Sequence, residues 1–202
     1  MYQLLIVFLI TFISANYCFA TDYNNQGLGV ELSIPEGAKV VEGNELKSFS
    51  KEETIAFKKV FETDPAAIQE ALNKTIFTIG YYDGPISEGP NGSIMVSAVP
   101  AITKDIGSFS SSLLGKEEQK TESMSFKFSE QGTNVIISGR NFVVSKGNLK
   151  IIQNKVPIFE MPIFYYITEI DSKFVTFTIS GNKERVASLE KSLLAMIINE
   201  KL

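Results

Sequence analysis

Two tyrosines and an aspartate stand together at Tyr81, Tyr82 and Asp83, at the start of a stretch rich in glycine and proline. Aromatic rings beside a carboxylate can bind a sugar or an amine, by stacking on the ring and by charge-assisted hydrogen bonds. The competing interpretation is an ordinary turn, because Asp, Gly, Pro and Asn are common turn formers. These three residues are therefore a candidate ligand surface.

The segment 156–164 reads VPIFEMPIF, in which Pro-Ile-Phe occurs twice. Proline has no backbone N–H, so this segment cannot be a regular central strand over its whole length. An apolar loop or sheet edge of this kind is a candidate docking surface for a protein partner, formed by Ile158, Phe159 and Met161. The competing interpretation is that these side chains fold over the core of the sheet.

Three carboxylates near predicted strand ends, Glu160, Glu169 and Asp171, raise the possibility of hydrolysis. Two carboxylates roughly 5 to 9 Å apart can cleave a glycosidic bond without histidine. No spacing rule brings any pair of these three into a cleft. A carboxylate-only hydrolase is therefore the third functional hypothesis.

The side chains that the sequence lacks exclude several chemistries. There is no histidine, so Ser-His-Asp and Cys-His catalysis are excluded. The single cysteine is Cys18, near the N-terminus, so the rest of the chain has no disulfide, thiol nucleophile or zinc ligand of the Cys or His type. No cofactor and no metal site are predicted. A total of 19 Lys and Arg against 23 Asp and Glu, without a basic cluster, argues against binding nucleic acid.

The N-terminal segment is typical of an export signal. Leu4 to Ile13 reads LLIVFLITFI, and the sequence SANYCFA that follows ends in a small residue. Cleavage between Ala20 and Thr21 would place Cys18 at position −3 and Ala20 at −1. We therefore expect residues 1–20 to be a signal peptide and the protein to be exported, either periplasmic or secreted. An uncleaved anchor is the alternative.

The hydrophobic pattern of residues 21–202 predicts one domain with many strands. Residues 21–27 are polar and are expected to be a loose leader. A turn is predicted at Lys146-Gly147-Asn148, and the clearest hairpin turns at Asp171-Ser172-Lys173. The alternation of apolar residues predicts strands at Gly29–Ile34, Ile76–Tyr82, Ser93–Val99, Ser123–Phe128, Asn134–Ser138, Asn141–Val144, Asn148–Ile152, Ile163–Ile170 and Phe174–Ser180.

Helices are predicted between and after these strands. A capping box at Ser50–Glu53 and an N-cap with proline at Asp64-Pro65 indicate two consecutive helices or one kinked helix. Thr103–Leu114 is a weak helix, whereas Lys183–Ile198 is strongly amphipathic. Runs of strands joined by tight turns, together with these helices, predict an α+β fold with a central antiparallel β-sheet flanked by helices.

The order of these elements resembles the PsbP/Mog1-type family, in its exported bacterial form. The resemblance rests on the strand that ends in Leu32-Ser33-Ile34-Pro35-Glu36-Gly37, on the hairpin built from 165–168 and 174–181, and on the closing helix around 189–194. It implies a sandwich with a central antiparallel sheet between helical layers. It also implies accessory, assembly or partner-binding roles rather than catalysis.

We therefore expect an exported, non-enzymatic accessory protein that binds a protein partner in the cell envelope or outside the cell. The alternative is a small-ligand or glycan-binding module that uses the Tyr81–Asp83 region.

Overall fold

The computed structural model describes residues 21–43, 45, 73–83, 90–101, 105–115, 119–120, 124–154 and 156–199. Within them, two helices are α1 (Ile106–Leu114) and α2 (Lys183–Leu194). The strands are β1 (Thr21–Asn25), β2 (Val30–Ile34), β3 (Ala38–Glu42), β4 (Thr75–Tyr81), β5 (Gly92–Pro100), β6 (Gln119–Lys120), β7 (Met124–Ile137), β8 (Arg140–Gln153), β9 (Val156–Ile170), β10 (Lys173–Gly181) and β11 (Ile197–Ile198).

These strands form two sheets, and every pairing is antiparallel. The main sheet has the order β3-β4-β5-β10-β9-β8-β7-β6, and a small sheet has the order β1-β2-β11. For β7, β8, β9 and β10, antiparallel order follows from the short turns between successive strands, which cannot span the crossover that a parallel pair needs. The predicted antiparallel sheet is therefore confirmed.

The two helices lie on opposite faces of the main sheet. Phe109 of α1 stacks on Phe174 of β10, with ring centroids 4.6 Å apart. Leu189 of α2 belongs instead to the core that contains Phe177 of the same strand. Because side chains alternate along a strand, residues 174 and 177 point to opposite faces. The described residues are mostly sheet with these two helices, so the flanking helices are confirmed only in part.

The turn predicted at Lys146-Gly147-Asn148 is wrong. Strand β8 runs through these residues without interruption, and Gly147 pairs with Phe128 of β7 and Ile163 of β9. A Cβ on Gly147 would lie 2.6 Å from the backbone oxygen of Lys127 and 2.7 Å from the ring of Phe126. The glycine therefore makes room for a ring that packs over the strand, and it does not mark a turn.

The hairpin predicted around Asp171-Ser172-Lys173 is confirmed. Strands β9 and β10 pair from Ile170 and Lys173 outward. Asp171 and Ser172 between them have φ angles of 49° and 57°. Two successive left-handed residues form the turn whose twist matches that of paired strands.

The C-terminal helix is shorter than its pattern predicts. It ends at Leu194, and Ile197 and Ile198 pair with β2 as strand β11. Ile197 is consequently half-exposed and Ile198 is buried, because neighbouring residues of a strand point to opposite sides. The helix was predicted to extend to Ile198 because apolar residues at helical spacing do not reveal where a helix ends and a strand begins.

The polar segment expected to be a loose leader contains strand β1 in the structure. Tyr23 anchors it, because its ring packs edge-on against Phe77 of β4 with centroids 4.9 Å apart. The Tyr23 hydroxyl donates a hydrogen bond to Glu42 Oε2 at 2.6 Å and accepts one from Asn25 at 3.0 Å. These contacts attach the small sheet to the edge of the main sheet.

The Tyr23 contacts predict a loss of stability in alkaline solution. Burial of the ring, reinforced by Glu42 and partly opposed by the bond from Asn25, raises the pKa of Tyr23 from 10.0 to about 12. Between pH 10 and about 12 the unfolded chain loses this proton while the folded chain keeps it, so the free energy of unfolding falls over that range. Urea unfolding at several pH values should show a shallower decline for Tyr23→Phe. An identical decline in both proteins would contradict this assignment.

Three predictions lie outside the described residues. They are the signal peptide 1–20 with Ala20, the capping box at Ser50–Glu53, and the Asp64-Pro65 helix start. Among the described helices, none combines the length and the apolar character that crossing a membrane requires.

Candidate functional site

The Tyr81–Asp83 region forms a polar cluster with helix α2. Arg185 Nη2 donates to both carboxylate oxygens of Asp83, at 2.8 and 3.2 Å, and Asn91 donates to Oδ2. The bond from Arg185, followed by that from Asn91, holds the pKa of Asp83 below its usual value. The carboxylate that a ligand would need is therefore already engaged within the chain.

Tyr81 is held by the same helix. Its hydroxyl donates to Ser188 Oγ at 3.1 Å, and the guanidinium of Arg185 lies 4.9 Å from the centroid of its ring. Tyr82 is half-buried and Asp83 is exposed. The contacts of Tyr81 and Asp83 fasten the end of β4 to α2, which is a structural role. Ligand binding by the three residues stays a prediction.

The segment VPIFEMPIF lies in a projecting part of the main sheet that we call the arm. The arm consists of residues 124–128 of β7, 147–153 of β8 and 156–162 of β9. Strand β10 pairs with β9 only from Ile163 onward. At about 3.3 Å per residue, the arm extends on the order of 20 Å beyond this pairing.

The arm has one apolar and one polar face. Residues directly opposite each other on neighbouring strands point to the same side of a sheet. The register aligns Phe126 with Leu149 and Met161, and Ile151 with Phe159. The intervening positions form the other face, with the rows Lys127-Asn148-Pro162 and Ser125-Lys150-Glu160. Lys150 and Glu160 form an ion pair there at 3.4 Å.

The free end of the arm exposes large apolar side chains. Val156 and Ile158 are each 59% exposed and Phe159 is 50% exposed, whereas Met161 is half-buried. Phe159 and Ile158 are therefore not folded into the core, which was the competing interpretation. Single exposed apolar residues are common on proteins, but three within four positions make the free end of the arm an apolar surface.

Two prolines restrict how a partner can contact the arm. From Val156 to Pro162, β9 pairs with β8 on one side, and no strand of the described chain pairs with its other edge. Pro157 and Pro162 lie in this stretch and offer no N–H to an added strand. This arrangement agrees with the expectation that the segment is not a central strand throughout. A partner would therefore contact side chains rather than extend the sheet.

The fold is similar to that of several solved structures. These include the cyanobacterial PsbP of Synechocystis sp. PCC 6803, with a TM-score of 0.49 and 11% identity over 91% of this chain and 95% of that chain. LpqN of Mycobacterium tuberculosis, which is involved in cell envelope biogenesis, has a TM-score of 0.48 and 11% sequence identity. The match covers 93% of this chain and 95% of LpqN. The Ran-binding protein Mog1p of Saccharomyces cerevisiae has a TM-score of 0.42 and 10% sequence identity. The match covers 90% of this chain and 96% of Mog1p.

The similar solved structures thus include a PsbP protein and a Mog1 protein. At these identities the likeness concerns the fold alone. No protein-family model matches the sequence, and no curated protein matches it.

A second ionic cluster, which the sequence did not predict, joins α2 to the root of the arm. The Nζ atom of Lys146 in β8 lies 2.7 Å from Glu190 Oε1. The hydroxyl of Tyr166 donates a hydrogen bond to the same oxygen. The Lys146 ammonium also lies 5.1 Å from the ring centroid of Phe164. Burial and the bond to Glu190 raise the pKa of Tyr166 above its usual value. The opposite charges compensate each other, so the cluster anchors the helix.

The candidate hydrolytic carboxylates are not all brought together. Glu160 lies on the arm, whereas Glu169 is nine residues away along the same extended strand and Asp171 lies in the turn beyond it. At about 3.3 Å per residue, Glu160 and Glu169 are roughly 30 Å apart, well beyond the range of a glycosidase pair. Within the described residues, no group of three or more His, Cys, Asp or Glu side chains could hold a metal ion.

Proposed function

We propose that this protein is an exported, non-enzymatic accessory protein that binds a protein partner through the free end of the arm. The observation that carries the proposal is the exposure of Val156, Ile158 and Phe159 at the end of a projecting hairpin. The partner would lie in the cell envelope or outside the cell.

Physical chemistry favours this surface as a binding site. Burial of apolar side chains in an interface is favourable in proportion to the area removed from water. Aromatic side chains dominate such interfaces because they bury a large area at a small cost in conformational entropy. The arm is also held by three paired strands, so little ordering is needed when a partner binds.

The export part of the proposal rests on the pattern of residues 1–20. Strand β1 begins at Thr21, directly after the predicted cleavage point. Cleavage there would leave every described residue of the small sheet in the mature protein. The absence of His and of any Cys besides Cys18 excludes Ser-His-Asp and Cys-His catalysis, which supports the non-enzymatic part of the proposal.

Photo-crosslinking in the native cell tests the proposal. A benzophenone amino acid at position 159 should give one dominant adduct with a partner protein. The same amino acid at position 148, on the polar face of the arm, should not give that adduct. The intact mass of the purified protein reports whether the chain begins at Thr21. Adducts of equal yield from both faces, or none from position 159, would contradict docking through the apolar end.

A further inference from the structure

Strands β4, β5 and β10 carry very different side chains on their two faces. The face toward α2 carries the apolar core, which includes Phe77, Ile94 and Phe177, each fully buried. The face toward α1 carries hydroxyl groups at alternate positions. They belong to Thr78, Ser93, Ser97, Thr176, Thr178 and Ser180.

The register brings several of these hydroxyls side by side. Ser97 of β5 lies directly opposite Thr176 of β10. In the neighbouring row, Thr178 lies opposite Met95 on one side and Tyr165 on the other. Cross-strand neighbours have Cβ atoms roughly 5 Å apart, so hydroxyls from different strands can contact one small molecule.

A cavity of about 500 Å³ lies over these residues. Its floor includes Ser97, Thr176 and Thr178, and its wall includes Leu113 and Leu114 of α1. The stacked rings of Phe109 and Phe174 also line it. A volume of this size, with a largely apolar wall and a few polar groups, is typical of a small-molecule site.

Thr78 adds an independent observation next to the cavity. It is 1% exposed, and its hydroxyl has no hydrogen-bond partner within the described part of the chain. It lies opposite Met95, which lines the cavity. A buried hydroxyl without a partner costs free energy, and Thr78 carries this cost on the strand beside Met95.

We propose that this cavity binds a compact molecule with an aromatic or alicyclic body and a hydroxyl group. The body lies against Phe109, Leu113 and Leu114, and the hydroxyl bonds with Ser97 and Thr176. This site is separate from the arm and from the Tyr81–Asp83 region.

Two isosteric probes test the proposal by NMR titration of the purified full-length protein. 2-Naphthol carries a hydroxyl where 2-methylnaphthalene carries a methyl group. Both should shift the signals of α1, β5 and β10. Thr176→Val should lower the affinity for 2-naphthol by about threefold to tenfold, as expected for the loss of one hydrogen bond. The affinity for 2-methylnaphthalene should not change.

The matched control is Thr133→Val, at an exposed position of β7, which should change neither affinity. Phe159→Glu should also leave the affinities for both probes unchanged. A failure of the proposal that the arm binds a partner can therefore be distinguished from a failure of the proposal that the cavity binds a small molecule. If Thr176→Val does not fold, Ser97→Ala replaces it with the same expectation. Shifts outside the cavity, no binding, or equal weakening of both probes would overturn the proposal.

Discussion

Phe159→Glu is expected to weaken partner binding strongly while the fold is retained. A charged carboxylate cannot enter an apolar interface without losing its hydration, and aromatic residues at interface centres commonly contribute 2 kcal/mol or more. The affinity should therefore fall by about thirtyfold or more. Because Phe159 is half-exposed, the free energy of unfolding should change by less than about 1 kcal/mol.

Asn148→Glu is the matched control for Phe159→Glu. It adds the same charge to the same arm, but on the polar face and opposite Lys127. Binding measured by surface plasmon resonance against the crosslinked partner should be unchanged in this variant, and circular dichroism should match the wild type in both. Equal losses in the two variants would show that charge, rather than the apolar end of the arm, determines the affinity.

Gly147→Ala is expected to destabilise the protein by about 2 to 3 kcal/mol, since overpacking of a tight site costs this much. The added methyl group would meet the backbone oxygen of Lys127 at 2.6 Å and the ring of Phe126 at 2.7 Å. The ring cannot yield easily, because it also contacts Phe128 edge-on with centroids 4.7 Å apart. Strands β7 and β8 must therefore separate at the root of the arm. Urea unfolding would measure the change.

Gly107→Ala provides a control with the opposite sign. Gly107 lies in the first turn of α1, and among the described residues its added Cβ would approach Asp105 Oδ1 alone, at 3.3 Å. Alanine is favoured over glycine in a helix by up to about 1 kcal/mol, so this variant should be neutral or slightly more stable. If Gly147→Ala were equally neutral, the close packing at the root of the arm would be disproved.

The candidate site was predicted in part by local chemistry. The two prolines and the apolar residues between them indicated a sheet edge or loop, and Ile158 and Phe159 are indeed exposed. Their exposure itself could not be predicted, because it depends on where β10 stops pairing with β9. The bond between Asp83 and Arg185 joins residues 102 positions apart, and no local pattern signals it.

The hydroxyl-rich floor of the cavity could also be predicted only in part from the sequence. The alternation Ser93, Met95, Ser97 and Phe174, Thr176, Thr178 is visible in the sequence and fits strands with two unlike faces. That these two strands are neighbours, with Ser97 opposite Thr176, follows only from the order of the sheet.

Three features could be predicted from the sequence alone: the antiparallel character of the sheet, the hairpin at Asp171 and Ser172, and most of helix α2. Each depends on interactions among residues close in the chain: turn conformation, alternation and helical spacing. Contacts between elements distant in the chain determined the role of Gly147, the conversion of Ile197 and Ile198 into a strand, and the attachment of β1 to the main sheet. In each of these, the deciding neighbour comes from another element: the ring of Phe126 for Gly147, the backbone of β2 for Ile197 and Ile198, and the ring of Phe77 for Tyr23 of β1.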